Sequence, residues 1–241
     1  RLLRFLLPSR VVPAVTFDGR TVLTSNNGTL FNMPDNGTSF FMNVWFKSSG
    51  FPNPQINLLT AHGQNNTGEY VALLSFAPFG GGAKALFFAG CLDGNSWFSG
   101  TSGPDLPLDN VWHMLTVSVN STIPQVRFKL DNVETAGGQQ LYGNKCNFDW
   151  TKVEKWAVGG DQDGTSFLYS GDMAELYMDL TGRLTVDNSD QFITQTGRAI
   201  GLGLDGIRPL GDIPVLLMRG NPGFFRRAPT HMGFSSYEFN K

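Results

Sequence analysis

The chain has 241 residues with 16% charged residues and a net charge of −2. That length fits one large β domain or two small ones, and that balance gives no global field to draw the protein to nucleic acid. Glycine at 29 residues, 12% aromatics and few glutamates describe sheets and turns and exclude an all-helical protein.

The opening Arg1-Leu2-Leu3-Arg4-Phe5-Leu6-Leu7-Pro8 begins like a signal peptide, but Arg4 splits its apolar part and no small-residue cleavage site follows, so no targeting segment is expected. Strand-like runs follow at Ser39–Lys47, Ile56–His62, Glu69–Phe76, Lys84–Ala89, Val111–Val119, Gln125–Leu130 and Ser166–Leu180. Around Phe40–Phe46 both faces are apolar, as in a central strand covered on both sides. Val126, Phe128 and Leu130 alternate with Arg127 and Lys129, as in a half-solvated antiparallel strand. Between the runs lie turn pairs such as Asn27-Gly28, Asn36-Gly37, Asp93-Gly94 and Asp163-Gly164. Strands at this spacing without helices between them indicate a two-sheet β-sandwich. The one helical signal is Asn188–Thr194, capped by Asn188 or Ser189. The longest uncharged apolar run, Ile213–Met218, is far too short to cross a bilayer, so no membrane insertion is expected.

Cys91 and Cys146 make no disulfide framework and have no metal-spaced partner, and two unpaired thiols are expected. The ends differ from the middle. Residues 1–13 are apolar and basic, with Leu2, Phe5 and Leu6 as contact candidates. The tail is rich in Gly, Pro and Arg and carries Phe224-Phe225-Arg226-Arg227. Such segments pack on their own sandwich or on a neighbouring subunit. Three arginines (Arg219, Arg226 and Arg227) beside two phenylalanines form too small a patch for nucleic acid, and a docking contact to an acidic neighbour is expected instead.

Four stretches follow one another in a telling order: Phe40-Phe41-Met42-Asn43-Val44-Trp45-Phe46-Lys47, Val111-Trp112-His113-Met114-Leu115-Thr116-Val117, Val158-Gly159-Gly160 and Tyr169-Ser170-Gly171-Asp172-Met173-Ala174-Glu175-Leu176. The series resembles the concanavalin A-like lectin/glucanase superfamily in its laminin-G-like branch. The resemblance implies an all-β, two-sheet antiparallel jelly-roll sandwich over residues 14–185. An arm at 1–13 and an extension at 186–241 flank it. The run Gly197-Arg198-Ala199-Ile200-Gly201-Leu202-Gly203, with Asp205-Gly206, Arg208-Pro209 and the apolar stretch from Pro214 to Met218, resembles the tail that follows this domain in phage and prophage virion proteins. It implies a non-enzymatic virion component (tail, fibre, spike or capsid surface) that meets other virion proteins, copies of itself and host-surface glycans. The alternative is a secreted, extracellular carbohydrate-binding module; third comes an atypical glycoside hydrolase.

The residues separate these readings in part. A glycosidase needs two carboxylates about 5–9.5 Å apart. The laminarinase-type pattern Glu-x-Asp-x-x-Glu is absent, and Glu175 and Asp179, four apart on one strand, stand roughly 13 Å from each other at full extension. His113 is expected to serve the fold rather than catalysis. Asp161-Gln162-Asp163-Gly164 offers the hard oxygen donors that Ca²⁺ uses, although a solvated Asp-Gly turn accounts for the same residues. Asp93, Asn95, Trp97 and Phe98 form a candidate sugar set, with rings for the sugar face and polar groups for its hydroxyls.

Overall fold

The computed structural model describes residues 14–20, 22–24, 37–48, 50, 55–65, 68–79, 81–90, 97–103, 105–135, 140–142, 147–161, 163–200, 202, 209–210 and 214–218. Within them, fourteen strands form two antiparallel sheets, the two-sheet sandwich expected from the strand pattern and the jelly roll that the resemblance implies. The first sheet contains β1 (Val15–Asp18), β3 (Ser39–Lys47), β8 (His113–Asn120), β9 (Gln125–Leu130), β10 (Val133–Glu134), β13 (Ser170–Asp179) and β14 (Leu216–Met218). Its order is β1-β13-β3-β8-β9-β10, with β14 also on β13. The second contains β2 (Leu23–Thr24), β4 (Ile56–Asn65), β5 (Gly68–Phe79), β6 (Gly82–Gly90), β7 (Trp97–Thr101), β11 (Gln140–Tyr142) and β12 (Val153–Val158), in the order β11-β7-β6-β5-β4-β12-β2.

β3 shows why its sequence is apolar throughout. Phe40, Met42, Val44 and Phe46 point into the space between the sheets, where Phe40 meets Phe87 at 5.0 Å and Phe46 meets Phe76 at 4.9 Å. The alternate residues Phe41 and Trp45 point outward, yet they are buried too, beneath Leu184, Phe192, Ile193 and Leu202. The chain beyond β13 therefore folds back over the outer face of the first sheet. Each large side chain that it covers contributes about 1.5–3 kcal/mol.

That returning segment contains a 3₁₀ turn, Val186–Gln191, which corrects the helix expected at Asn188–Thr194. Its cap is Thr185, whose hydroxyl accepts the Asp187 N–H at 3.2 Å, while Asn188 accepts the Thr185 N–H at 3.0 Å. Asn188 thus closes a capping box from inside the turn and does not begin it. Ser118 of β8 accepts the Val186 N–H at 3.2 Å and fixes the turn to the sheet. Past it, β14 pairs with Leu176–Met178 of β13, while β1 pairs with Ser170–Met173 of the same strand. The two short strands lie end to end along one edge.

Two other boundaries moved for identifiable reasons. The strand expected from Val111 begins at His113, because Val111 and Trp112 turn out to solvent. The strand expected from Ser166 begins at Ser170, because Asp161, Gly164 and Tyr169 donate their N–H groups within a loop, to Ser166 O, Asp161 O and Gly159 O.

Candidate functional site

Among the described residues five large apolar side chains stay exposed, and four of them (Val111, Trp112, Val133 and Phe167) lie at one end of the sandwich; Ile123 lies at the other. Phe46 fixes the geometry of this end. It pairs with His113 on one side and Met173 on the other, so β8 and β13 begin about 10 Å apart across two strand spacings.

On the β8 side the rim is built from residues 105–112. Leu106 is buried and donates its N–H to Ala83 O at 2.6 Å, which anchors the loop to the core. Asp109 Oδ1 then accepts the Val111 N–H at 3.0 Å, and Asn110 adopts a positive φ of 64° while donating to Ser48 O at 3.0 Å. This local turn brings Val111 and Trp112 to the surface; Trp112 is 36% exposed. Facing it is the hairpin between β9 and β10, where Asp131 and Asn132 both take positive φ, 50° and 67°, the pattern of a type I′ turn.

His113 joins the two. Its Nδ1 lies 2.7 Å from Asp131 Oδ2 and its Nε2 3.2 Å from Asp109 Oδ1, and its ring packs 5.8 Å from that of Phe46. Asp131 is fixed further by the Met114 N–H, 2.8 Å from Oδ1. The imidazole closes the end of the core, consistent with its expected structural part, and it also braces the residues on either side of Trp112. The Val111 N–H, followed by His113, holds the Asp109 carboxyl below its ordinary value of 3.8.

On the β13 side, Gly159 and Gly160 lead into the loop of residues 161–169. Asp163 Oδ1 accepts N–H bonds from Thr165 at 2.8 Å and Ser166 at 3.2 Å, which hold its carboxyl below the usual aspartate range. Phe167 follows with φ 52°, a strained conformation for a bulky residue, and is 38% exposed. Asn57 holds it there by donating its N–H to Phe167 O at 2.8 Å. The buried Tyr169 ties the loop to both neighbours, donating from its hydroxyl to Lys47 O at 3.0 Å. Burial pushes its phenol well above the ordinary value of 10.0.

The residues expected to hold ligands are distributed differently. Phe98 is fully buried against Phe148, with ring centroids 5.9 Å apart, because it takes an inward position of β7 opposite Ala89. Its place in a sugar-binding set is corrected: the ring belongs to the core. Trp97 is described by its backbone alone, and Asp93 and Asn95 lie outside the described residues. Outside them too are Cys91, Cys146 and the contact candidates Leu2, Phe5, Leu6, Phe224, Phe225, Arg226 and Arg227. Asp161 and Asp163 share one loop, where the Asp163 carboxylate is turned onto the backbone of that loop. Among the described residues no group of three or more His, Cys, Asp or Glu is gathered as a metal site. Glu175 and Asp179 are both buried in β13, and the Asp179 carboxylate accepts from the Thr181 hydroxyl at 2.8 Å. The rim around Trp112 was missed from sequence because the Trp-His pair reads as part of a strand.

No protein-family model matches the chain, and no curated protein does. Solved structures do. A candidate carbohydrate-binding protein from Bacteroides ovatus aligns with a TM-score of 0.54 and 13% identity over 86% of this chain and 51% of that one; this chain therefore spans about half its length. The LG1-3 region of the laminin α2 chain aligns with a TM-score of 0.50 and 14% identity, over 69% of this chain and 31% of that one. The CBM40 of the Ruminococcus gnavus IT-sialidase, bound to α2,3-sialyllactose, gives a TM-score of 0.50 and 13% identity over 73% of this chain and 93% of that module. What the chain shares with them is the fold, a two-sheet antiparallel jelly-roll sandwich.

Proposed function

We propose that this chain is a non-catalytic carbohydrate-binding sandwich whose ligand lies on the rim around Trp112. The observation that carries the reading is an exposed indole on a braced loop: Trp112 stands between Val111, whose N–H is bonded to Asp109, and His113, whose ring is held by Asp109 and Asp131. Sugars present a face of C–H groups to aromatic rings and a ring of hydroxyls to fixed acceptors and donors. Phe167 adds a second exposed ring at the same end. The likeness of fold to carbohydrate-binding domains is consistent with this use.

A glycan array with the intact chain, run with Ca²⁺ and again with EDTA, tests it. Binding that Trp112→Ala abolishes is the expected result, and loss in EDTA would bring Asp161 and Asp163 in as calcium ligands. Binding unaffected by Trp112→Ala would overturn the assignment.

A second reading concerns where such a module works. The tail that begins at Gly197 resembles that of phage virion proteins, and β1 and β14 meet on one edge, so the described sandwich is entered and left at neighbouring points. We infer a particle-borne adhesin joined to other virion proteins or to its own copies through that edge, with a free extracellular module as the alternative. Charge reversal at Arg226 and Arg227 should then disrupt assembly, and unchanged assembly would remove those residues from the interface.

A further inference from the structure

We propose that the rim takes an extended glycan of three or more sugar residues, through a second contact point beyond Trp112 made by Phe167 and Gln55. This rests on the carbohydrate reading above and deepens it. Asn57 organises the second point. Ile56 and Leu58 on either side of it point into the core, so the buried Asn57 lies on the outward side of β4. Its backbone N–H donates to Phe167 O at 2.8 Å, and its Oδ1 accepts from Gln55 Nε2 at 3.1 Å. Its Nδ2 donates to Thr60 Oγ1 at 3.1 Å, and Thr60 donates in turn to Gly160 O at 3.0 Å. Each amide in this chain is thereby oriented. The half-buried Gln55 makes no other side-chain bond among the described residues, which leaves its Oε1 and a second Nε2 proton for sugar hydroxyls.

Phe167 itself bears the mark of a contact residue. A bulky side chain at φ 52° persists only where its surroundings over-determine it, and such strain gathers at ligand clamps. Here Asp161 donates to Ser166 O at 3.0 Å, Asp163 accepts from Thr165 and Ser166, and Asn57 takes the Phe167 carbonyl. The outcome is an aromatic ring held out to solvent rather than folded into the core. The two exposed rings stand on opposite sheets: Trp112 immediately precedes β8, Phe167 is bonded to β4, and packed sheets lie about 10 Å apart. Ser48, 2% exposed, ties both into one frame, accepting the Asn110 N–H at 3.0 Å and donating from Oγ to Ser170 O at 3.0 Å. Two rings fixed across that distance suit a ligand longer than one sugar, with no loop left to order on binding.

An array of mono- to hexasaccharides, probed with the intact chain and with single variants, tests the second contact. The intact chain is expected to hold glycans of three or more residues about tenfold more tightly than their mono- and disaccharide parts, the gain of one added aromatic contact. Phe167→Gly, Phe167→Ala and Gln55→Ala should each bring the long glycans down to the level of the short ones. Ile123→Ala, at the far end, should leave the preference unchanged. Melting curves separate contact from fold: Phe167→Gly, which takes a left-handed φ without strain, should melt no lower than Phe167→Ala. If the long glycans keep their advantage without the Phe167 ring, or single sugars bind as tightly as long chains, the second contact is wrong while the carbohydrate reading stands. Silence of the intact chain across the whole array would overturn both.

Discussion

The Arg127 guanidinium meets the Asp187 carboxylate at two points, Nη1 to Oδ2 at 2.8 Å and Nη2 to Oδ1 at 2.9 Å, and so joins β9 to the 3₁₀ turn of the returning segment. The same guanidinium gives Nε and Nη2 to Glu134 of β10, at 2.8 and 3.0 Å. Arg127 holds Glu134 and Asp187 below their ordinary values of 4.5 and 3.8. A carboxylate depressed in the folded state contributes stability above its unfolded value and loses it as pH falls through the folded one. Both acids are largely solvated, so the pair of bonds contributes only about 1 kcal/mol or less. Arg127→Met should therefore lower the melting temperature modestly at pH 7, and the deficit should shrink from about pH 4.5 downward, as thermal melts across pH 2.5–7 would record. A deficit independent of pH would locate the loss in packing instead.

Phe98→Ala should destabilise the protein by about 3–5 kcal/mol, the usual cost of emptying a phenylalanine site in a closed core. Denaturant unfolding measures this directly. A loss below about 1 kcal/mol would mean that the ring is not held between the sheets.

The hydroxyl of Ser75 is buried in β5 and has no hydrogen-bond partner among the described residues. Removing an unsatisfied polar atom relieves a desolvation penalty, so Ser75→Ala should leave stability unchanged or raise it by up to about 1 kcal/mol. A clear loss in chemical denaturation would show that the hydroxyl is satisfied in solution.

Gly159 has φ 83°, and a Cβ built there would lie 2.3 Å from the Phe17 ring. Gly159→Ala combines a disfavoured backbone with a clash against a core aromatic, and should cost more than the roughly 1 kcal/mol of left-handed strain alone. Circular dichroism melts of the variant would show a reduced midpoint; an unaltered midpoint would contradict the close approach.

The strong alternations in the sequence predicted the central strands, because burial on one or both faces writes itself into every second residue. Ser39–Lys47 and Gln125–Leu130 run between the predicted ends. The Gly-Gly pair after Val158 was legible only through the family resemblance; the close approach of Phe17 and Val22 that requires it shows in the fold. Short edge strands such as β2, β10 and β14 carry too few residues for a period to show. Phe98 misled because its loop-like neighbours Asp93 and Asn95 suggested a surface, while its own inward position depends on register with Ala89. The rim was illegible for a related reason. Trp112 and Asp131 lie nineteen residues apart, and only the β8–β9 pairing brings them to one place.

The end-to-end seating of β1 and β14 makes the sandwich easy to splice. Val15 stands opposite Met173 and Met218 opposite Leu176, so the entering and leaving backbones are separated by three residues of a single strand, roughly 10 Å. A unit whose entry and exit lie this close can be set into a loop of another polypeptide, or re-ended by circular permutation, without any strand having to change partner.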